Sequence, residues 1–192
     1  MQVLLISGST RELSINKVLL RAAAEEAQKL THDPVNLDAE VALLPIFHQE
    51  LEANDAYKIP LAKLRAQIEE ADVILIACPE YNGFHTPHLH NIFTWASRRA
   101  EGQKHSVLEG KVVGLLSAAP GAFGGLRMLP RLTSFVADHG CWVHPRYLAV
   151  GNMTSKLDAD GNVNDPDTLT KLSAMIEQIC GMSQMKKTAE PA

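Results

Sequence analysis

The chain has 192 residues, enough for one domain with a substantial core, and its formal net charge of −4 is spread among interspersed acidic and basic residues, leaving no basic stripe to hold a nucleic acid. No run approaches the roughly 20 apolar residues that a spanning helix needs, and residues 1–6 enter a strand with no leader-like segment, which reads as a cytoplasmic protein that does not engage a membrane. Aromatic residues are few (5%), favouring α/β packing over a sandwich or barrel, and Cys78, Cys141 and Cys180 are too widely spaced for a disulfide framework or a CxxC site.

In chain order, Gln2–Ser7 predicts a strand and residues 14–30 a helix, with Ile15, Val18, Leu19, Ala22, Ala23 and Leu30 on one face and Ser14 as its cap. Pro34–Asp38 is a short second strand, and Val41–Ala56 reads as a long irregular loop. Leu61, Leu64 and Ile68 mark the next helix, followed by a strand at 72–78 whose unbroken apolar run suits burial on both faces. Pro87 opens a helix carrying Leu89, Ile92, Phe93 and Ala96, and Lys111–Ala118 is the fourth strand. A helix between about Gly125 and His139 must kink at Pro130 or begin there. Trp142–Val150 gives a fifth strand and Pro166–Cys180 the last helix, with a polar, frayed tail from Ser183. Five strands alternating with five helices predict a three-layer α/β domain over residues 1–182 and a tail over 183–192. The expected sheet is parallel, in the order 2-1-3-4-5, with helices on both faces.

Open sheets of this kind bind ligands along the carboxyl edge of their strands. Three polar loops fall on that edge. The first, Ser7-Gly8-Ser9-Thr10-Arg11-Glu12-Leu13-Ser14, matches neither GxGxxG nor GxxxxGK[ST]. Its hydroxyls, guanidinium and helix amino terminus suit a phosphomonoester, and they equally suit an ordinary capped turn. The second, Cys78-Pro79-Glu80-Tyr81-Asn82-Gly83, ends a buried strand in turn-forming residues. The third, Ser117 to Gly125, holds glycines that let backbone approach a flat ligand or simply provide a flexible turn.

Together these segments resemble the NAD(P)H-dependent FMN reductases, a flavodoxin-like family that includes quinone, chromate and azo-dye reductases. The matching motifs are Gly8-Ser9-Thr10-Arg11 with Ser14 and Asn16, Pro79-Glu80-Tyr81-Asn82, and Ser117 with Gly121, Gly124 and Gly125. Thr86-Pro87, Leu89, Asn91, Trp95, Ser97 and Arg98 extend the match, which spans about residues 1–180. The resemblance implies that Ser9, Thr10, Arg11, Ser14 and Asn16 hold the FMN phosphate. Pro79, Glu80, Tyr81, Asn82 and Gly83 would line the ring and ribityl chain, and Ser117, Gly121 and Gly124 the pyrimidine edge. It further implies NADPH or NADH as co-substrate, a quinone, nitro- or azo-aromatic, metal oxyanion or free flavin as acceptor, and a homodimer or homotetramer.

The chain departs from the family pattern at Phe84, where a small serine is usual, at His90 and at Thr94. Leu89, Ile92, Phe93 and Trp95 suit either a subunit interface or packing on the chain's own sheet. His85, His88 and His90 lack the spacing and companions of a metal site and read as solvated or interface histidines. Lys156–Asn162 reads as a surface turn rather than a calcium loop. Cys78 reads as a buried thiol. No single general acid stands out; Tyr81, Glu80 or water would supply protons. A second reading is an electron carrier or redox-sensing FMN module without nicotinamide turnover, against which the modest charge and Arg11 argue. A third is a domain that has lost its cofactor, to which Phe84 lends weight.

Overall fold

The apolar runs Val3–Ser7, Val73–Ala77 and Val112–Ala118 form β1, β3 and β4, the centre of a wholly parallel sheet. The computed structural model describes residues 1–31, 34–37, 42–99 and 102–189. Short β2 (Val35–Asn36) pairs with β1, and both β5 (Trp142–Val143) and β6 (Leu148–Val150) pair with β4. The order β2-β1-β3-β4 agrees with expectation, and two short strands share the fifth position. The single strand expected over 142–150 breaks around Pro145, which has no N–H to give to a ladder. Of the expected second strand, Asp38 lies outside the described residues.

The side chains of the central strands alternate between two covered faces, as the 2-residue period of a strand requires. Leu4, Ile6, Ile74, Ile76, Val113 and Leu115 face one core, formed with α2 (Asp55–Glu70), α3 (Pro87–Ser97) and α4 (Leu129–Asp138). Val3, Leu5, Val73, Leu75, Val112 and Leu116 face the other, formed with α1 (Ile15–Gln28) and α5 (Pro166–Ala189). Burial on both faces accounts for strands that read as continuous apolar runs.

Several element ends differ from expectation for local reasons. α1 stops before Leu30, which is 50% exposed instead of facing the core. The stretch expected to be irregular up to Ala56 contains a 3-10 turn at Gln49–Ala53, and α2 starts at Asp55 because the Asn54 side chain caps the N–H of Ala56 at 3.0 Å. Pro130 lies in the first turn of α4, so it marks the true start of that helix.

The expected frayed tail is helical through Ala189. Ser183 is buried with its hydroxyl donating to the Asp72 carbonyl at 3.5 Å, and Lys187 pairs with the Asp72 carboxylate at 2.7 Å. Among the described residues no helix is long and apolar enough to cross a membrane.

Gly114 lets α5 lie directly on the sheet. A Cβ there would sit 2.4 Å from Ile179 Cδ1 and 2.9 Å from Leu75 Cδ2. Replacing Gly114 with valine is therefore expected to destabilise the fold by about 1–3 kcal/mol in chemical denaturation, the usual cost of overfilling a packed core. An unshifted midpoint would mean that α5 slides away at no cost.

Candidate functional site

Loop 1 runs from the end of β1 to the cap of α1. The Gly8 N–H donates to Ala77 at 2.8 Å, and a Cβ on Gly8 would lie 2.6 Å from the Cys78 sulfur, so only glycine lets the loops after β1 and β3 touch. Ser9 Oγ accepts from the Arg11 N–H at 3.3 Å, and Ser14 Oγ accepts from the Asn16 N–H at 3.2 Å. The Arg11 guanidinium donates to the Leu13 carbonyl at 2.9 Å from an exposed position, beside exposed Thr10. Among the described residues the N–H groups of Thr10, Glu12, Leu13 and Ser14 have no acceptor.

Asn16 does something different from its neighbours. Its amide donates to the Ala118 carbonyl and accepts from the Ala118 N–H, both at 2.9 Å, while only 2% exposed. Both ends of the side chain are thus engaged within the chain. It ties α1 to the end of β4, spending one donor and one acceptor of the amide on that link.

Loop 2 is a two-residue hairpin. Tyr81 and Phe84 exchange N–H···O bonds of 2.8 and 2.9 Å across Asn82 (φ 53°) and Gly83 (φ 79°), the two positive-φ positions that make Asn-Gly the favoured pair. The Tyr81 and Phe84 N–H groups are consumed by the hairpin, and those of Asn82 and Gly83 at its tip have no acceptor among the described residues. Arg131 donates to the Gly83 carbonyl at 2.7 Å, with its guanidinium 5.3 Å from the centre of the Phe84 ring. Arg127 Nε donates to Glu80 at 2.9 Å. Thr86 Oγ1 donates to the Gly8 carbonyl at 2.6 Å and caps α3 by accepting from the Leu89 N–H at 3.1 Å. Sequence reading missed Arg127 and Arg131. Their only local signal is the four-residue spacing that places both near the start of α4.

Loop 3 follows β4. Ser117 is fully buried, its hydroxyl donating to the Cys78 carbonyl at 2.7 Å, so it links β4 to β3 instead of facing outward. Gly124 is pressed against β6, where a Cβ would lie 2.5 Å from the Val150 carbonyl carbon. Gly121 is exposed with open space beside it. The three loops do meet on one rim. Ser9, Thr10, Arg11, Ser14, Pro79, Glu80, Tyr81, Asn82, Gly83 and Gly121 belong to its loops, and Asn16, Ser117 and Gly124 brace it from within.

The remaining candidates resolve into structure. Leu89, Ile92, Phe93 and Trp95 are at most 2% exposed and pack on the chain's own sheet. Trp95 Nε1 donates to the Pro45 carbonyl at 2.8 Å, and Asn91 donates to the carbonyls of Leu44 and Pro45. His85, expected to be solvated or at an interface, is buried within the chain. Its Nε2 meets His90 Nδ1 at 3.0 Å, and both rings pack on Phe135. Burial, then the neighbouring His90, pushes the His85 pKa down. In the turn at Lys156–Asn162 the Asp158 carboxylate accepts from the N–H groups of Asp160 and Asn162, so it is spent on the backbone.

A parallel sheet covered on both faces, with three interlocked loops along its carboxyl edge, defines a flavodoxin-like α/β protein. Comparison with known proteins narrows this: residues 1–155 match the family described as NADPH-dependent FMN reductase, and the chain belongs to that family. It is 32% identical to the NAD(P)H:quinone oxidoreductase of Solanum tuberosum over 174 residues, covering 89% of this chain and 87% of that one. It is 27% identical to the quinone reductase of Escherichia coli strain K12, covering 92% of each chain. Its fold is similar to that of FerB, a flavoenzyme NAD(P)H:(acceptor) oxidoreductase from Paracoccus denitrificans. That match has a TM-score of 0.81 and 23% identity, covering 96% of this chain and 97% of the other.

Two outcomes follow from this geometry. Asn16→Ala leaves the buried Ala118 N–H and carbonyl without partners, and is expected to cost about 2–4 kcal/mol in thermal or chemical denaturation. A loss within the error of measurement would show that water replaces the amide freely. Burial pushes the Cys78 thiol up to about 11, so at neutral pH it is protonated and shielded. Native protein should therefore resist alkylation at Cys78 until it is unfolded. Rapid labelling of the folded chain at that position would contradict the buried site.

Proposed function

We propose that the rim binds FMN, with the phosphate over loop 1 and the ring against loops 2 and 3, and that the protein passes electrons from NADPH or NADH to a quinone-type acceptor. The observation that carries this reading is the set of unpaired N–H donors left on an otherwise interlocked rim. Those of Thr10, Glu12, Leu13 and Ser14 gather where α1 begins, and those of Asn82 and Gly83 stand at the hairpin tip. The first set, with the Ser14 and Thr10 hydroxyls and the Arg11 guanidinium, has the donors a phosphate dianion requires. Bound FMN supplies hydride acceptance and onward electron delivery.

The residues of the chain bind and orient. Asn82 and Gly83 offer N–H groups to the polar edge of a flat ring, where negative charge would be stabilised as it develops. Ser9 shapes loop 1, and Pro79, Tyr81 and Gly121 line the approach to it. Glu80 is held by Arg127 at 2.9 Å, which leaves Tyr81, 46% exposed, and water as the proton sources at hand. Phe84, 54% exposed over Arg131, offers an aromatic wall for a planar acceptor. One rim serving nicotinamide and acceptor in turn gives ping-pong kinetics. The reading extends to a cytoplasmic homodimer or homotetramer, as the family resemblance implies, with nitro- and azo-aromatics, metal oxyanions and free flavin as further acceptors. No nucleic acid takes part.

Arg11→Ala removes the one exposed cation of loop 1 and is expected to weaken FMN binding about tenfold. FMN affinity and turnover both unchanged would reject the phosphate assignment. Anaerobic mixing with NADPH or NADH separates an enzyme from a carrier. Rapid bleaching of the flavin is expected, and no bleaching with either nucleotide would favour a binding module.

A further inference from the structure

A cavity of about 500 Å³ lies between the hairpin of loop 2, the start of α3 and the segment at residues 46–47. That volume suits a small organic ligand. Ile46, Phe47, Phe84 and Pro87 give it apolar, largely aromatic walls. Phe84, His90 and Thr94, the three positions at which the chain departs from the family pattern, all line it.

The polar side chains of the lining are almost all spent within the chain. Asn91 donates to the Leu44 and Pro45 carbonyls and accepts from the Phe47 N–H at 2.8 Å, so it fixes the wall that carries Phe47. The Thr94 hydroxyl gives its one hydrogen to the His90 carbonyl at 2.9 Å. His85 Nε2 meets His90 Nδ1 at 3.0 Å. Among the described residues this leaves Nε2 of the exposed His90 ring as the lining nitrogen open to a ligand.

The proton on that nitrogen follows from His85, which is only 7% exposed and whose Nδ1 is buried with no partner among the described residues. A buried N–H is left without an acceptor more rarely than a lone pair is left without a donor. Burial keeps the His85 ring neutral, so its single proton belongs on Nε2 and is donated to His90 Nδ1. His90 then carries its own proton on Nε2. Both rings pack on Phe135, with centroids 4.4 and 4.7 Å away, which gives this donor a fixed direction.

The hairpin that presents the Asn82 and Gly83 N–H groups runs straight into Phe84 and His85, so the cavity borders the place assigned above to the flavin ring. We propose that this cavity seats the electron acceptor, a planar aromatic ring bearing a carbonyl oxygen, with the ring against Phe84 and the oxygen hydrogen-bonded by His90 Nε2–H. His85 is a positioning residue that fixes the His90 tautomer. This deepens the functional reading and rests on it.

The test uses oxidised, FMN-loaded protein and 2,3-dimethyl-1,4-naphthoquinone, whose quinone ring has no open position for a thiol to attack. Nitrogen NMR of the histidine side chains is expected to show His90 protonated on Nε2, with that resonance shifting as the naphthoquinone binds. In calorimetry His90→Ala should weaken the naphthoquinone about tenfold, the cost of one lost hydrogen bond, and His90→Gln, which keeps an N–H donor, should recover most of that loss. The ratio of kcat/KM for the naphthoquinone to that for ferricyanide, which has no ring to seat, should fall by a similar factor in His90→Ala. His85→Phe keeps a ring on Phe135 but removes the donor, so the His90 proton should then spread over both nitrogens.

A wild-type His90 protonated on Nδ1, or an Nε2 resonance that ignores bound naphthoquinone, would overturn the proposal. Unchanged affinity and an unchanged acceptor ratio in His90→Ala would overturn it equally. Equal losses in His90→Ala and His90→Gln would overturn the hydrogen bond and leave His90 a packing role. Failure of the wild type to hold FMN would overturn the underlying functional reading instead, and the His90 resonance of the flavin-free protein would still report whether the cavity is occupied.

Discussion

One buried amide holds the working edge of this protein in register. Asn16 begins α1, which follows β1, yet both of its hydrogen bonds go to Ala118 at the end of β4. β3 lies between those two strands, so the side chain spans the strand that carries the hairpin loop. Within a parallel sheet the strand ends have no ladder beyond the last pair, and the loops that leave them would otherwise separate. The Asn16 amide, the Ser117 bond to Cys78 and the Thr86 bond to Gly8 replace that missing ladder with side-chain bonds.

This division of labour explains the rim's chemistry. Polar side chains that look available in the sequence are spent on holding the loops, and the groups left to face a ligand are mostly backbone N–H. Backbone donors on a braced turn keep their direction without a side-chain rotamer to fix, which suits recognition of a phosphate or a ring edge. Arg127 and Arg131 complete the bracing from outside. They clamp Glu80 and the Gly83 carbonyl, so α4 and the turn before it set the position of the hairpin.

The central strands were legible because burial on both faces leaves an unbroken apolar run, and the three loops because Pro, Asn-Gly and Ser clusters punctuate those runs. Thr86-Pro87 likewise announces its helix. What the sequence concealed depends on distance along the chain. Asn16 and Ala118 are 102 residues apart, and Ser117 and Cys78 are 39 apart, so nothing local distinguishes a brace from a ligand contact. The split of the last strand required knowing that Val143 and Leu148 both meet β4. The helical continuation past Cys180 required knowing that Asp72 waits for Ser183 and Lys187.

Asp72 has a further consequence. It accepts from the Gln2 N–H at 2.8 Å while pairing with Lys187, so the first strand and the last helix come together at the amino edge of the sheet. That edge is a strand length, about 17–20 Å, from the rim. The first strand and the last helix thus share a seam on the side of the sheet remote from the rim. A short linker across that seam, with new ends cut in an exposed turn such as the one around Asp160, would give a rearranged chain with the same rim.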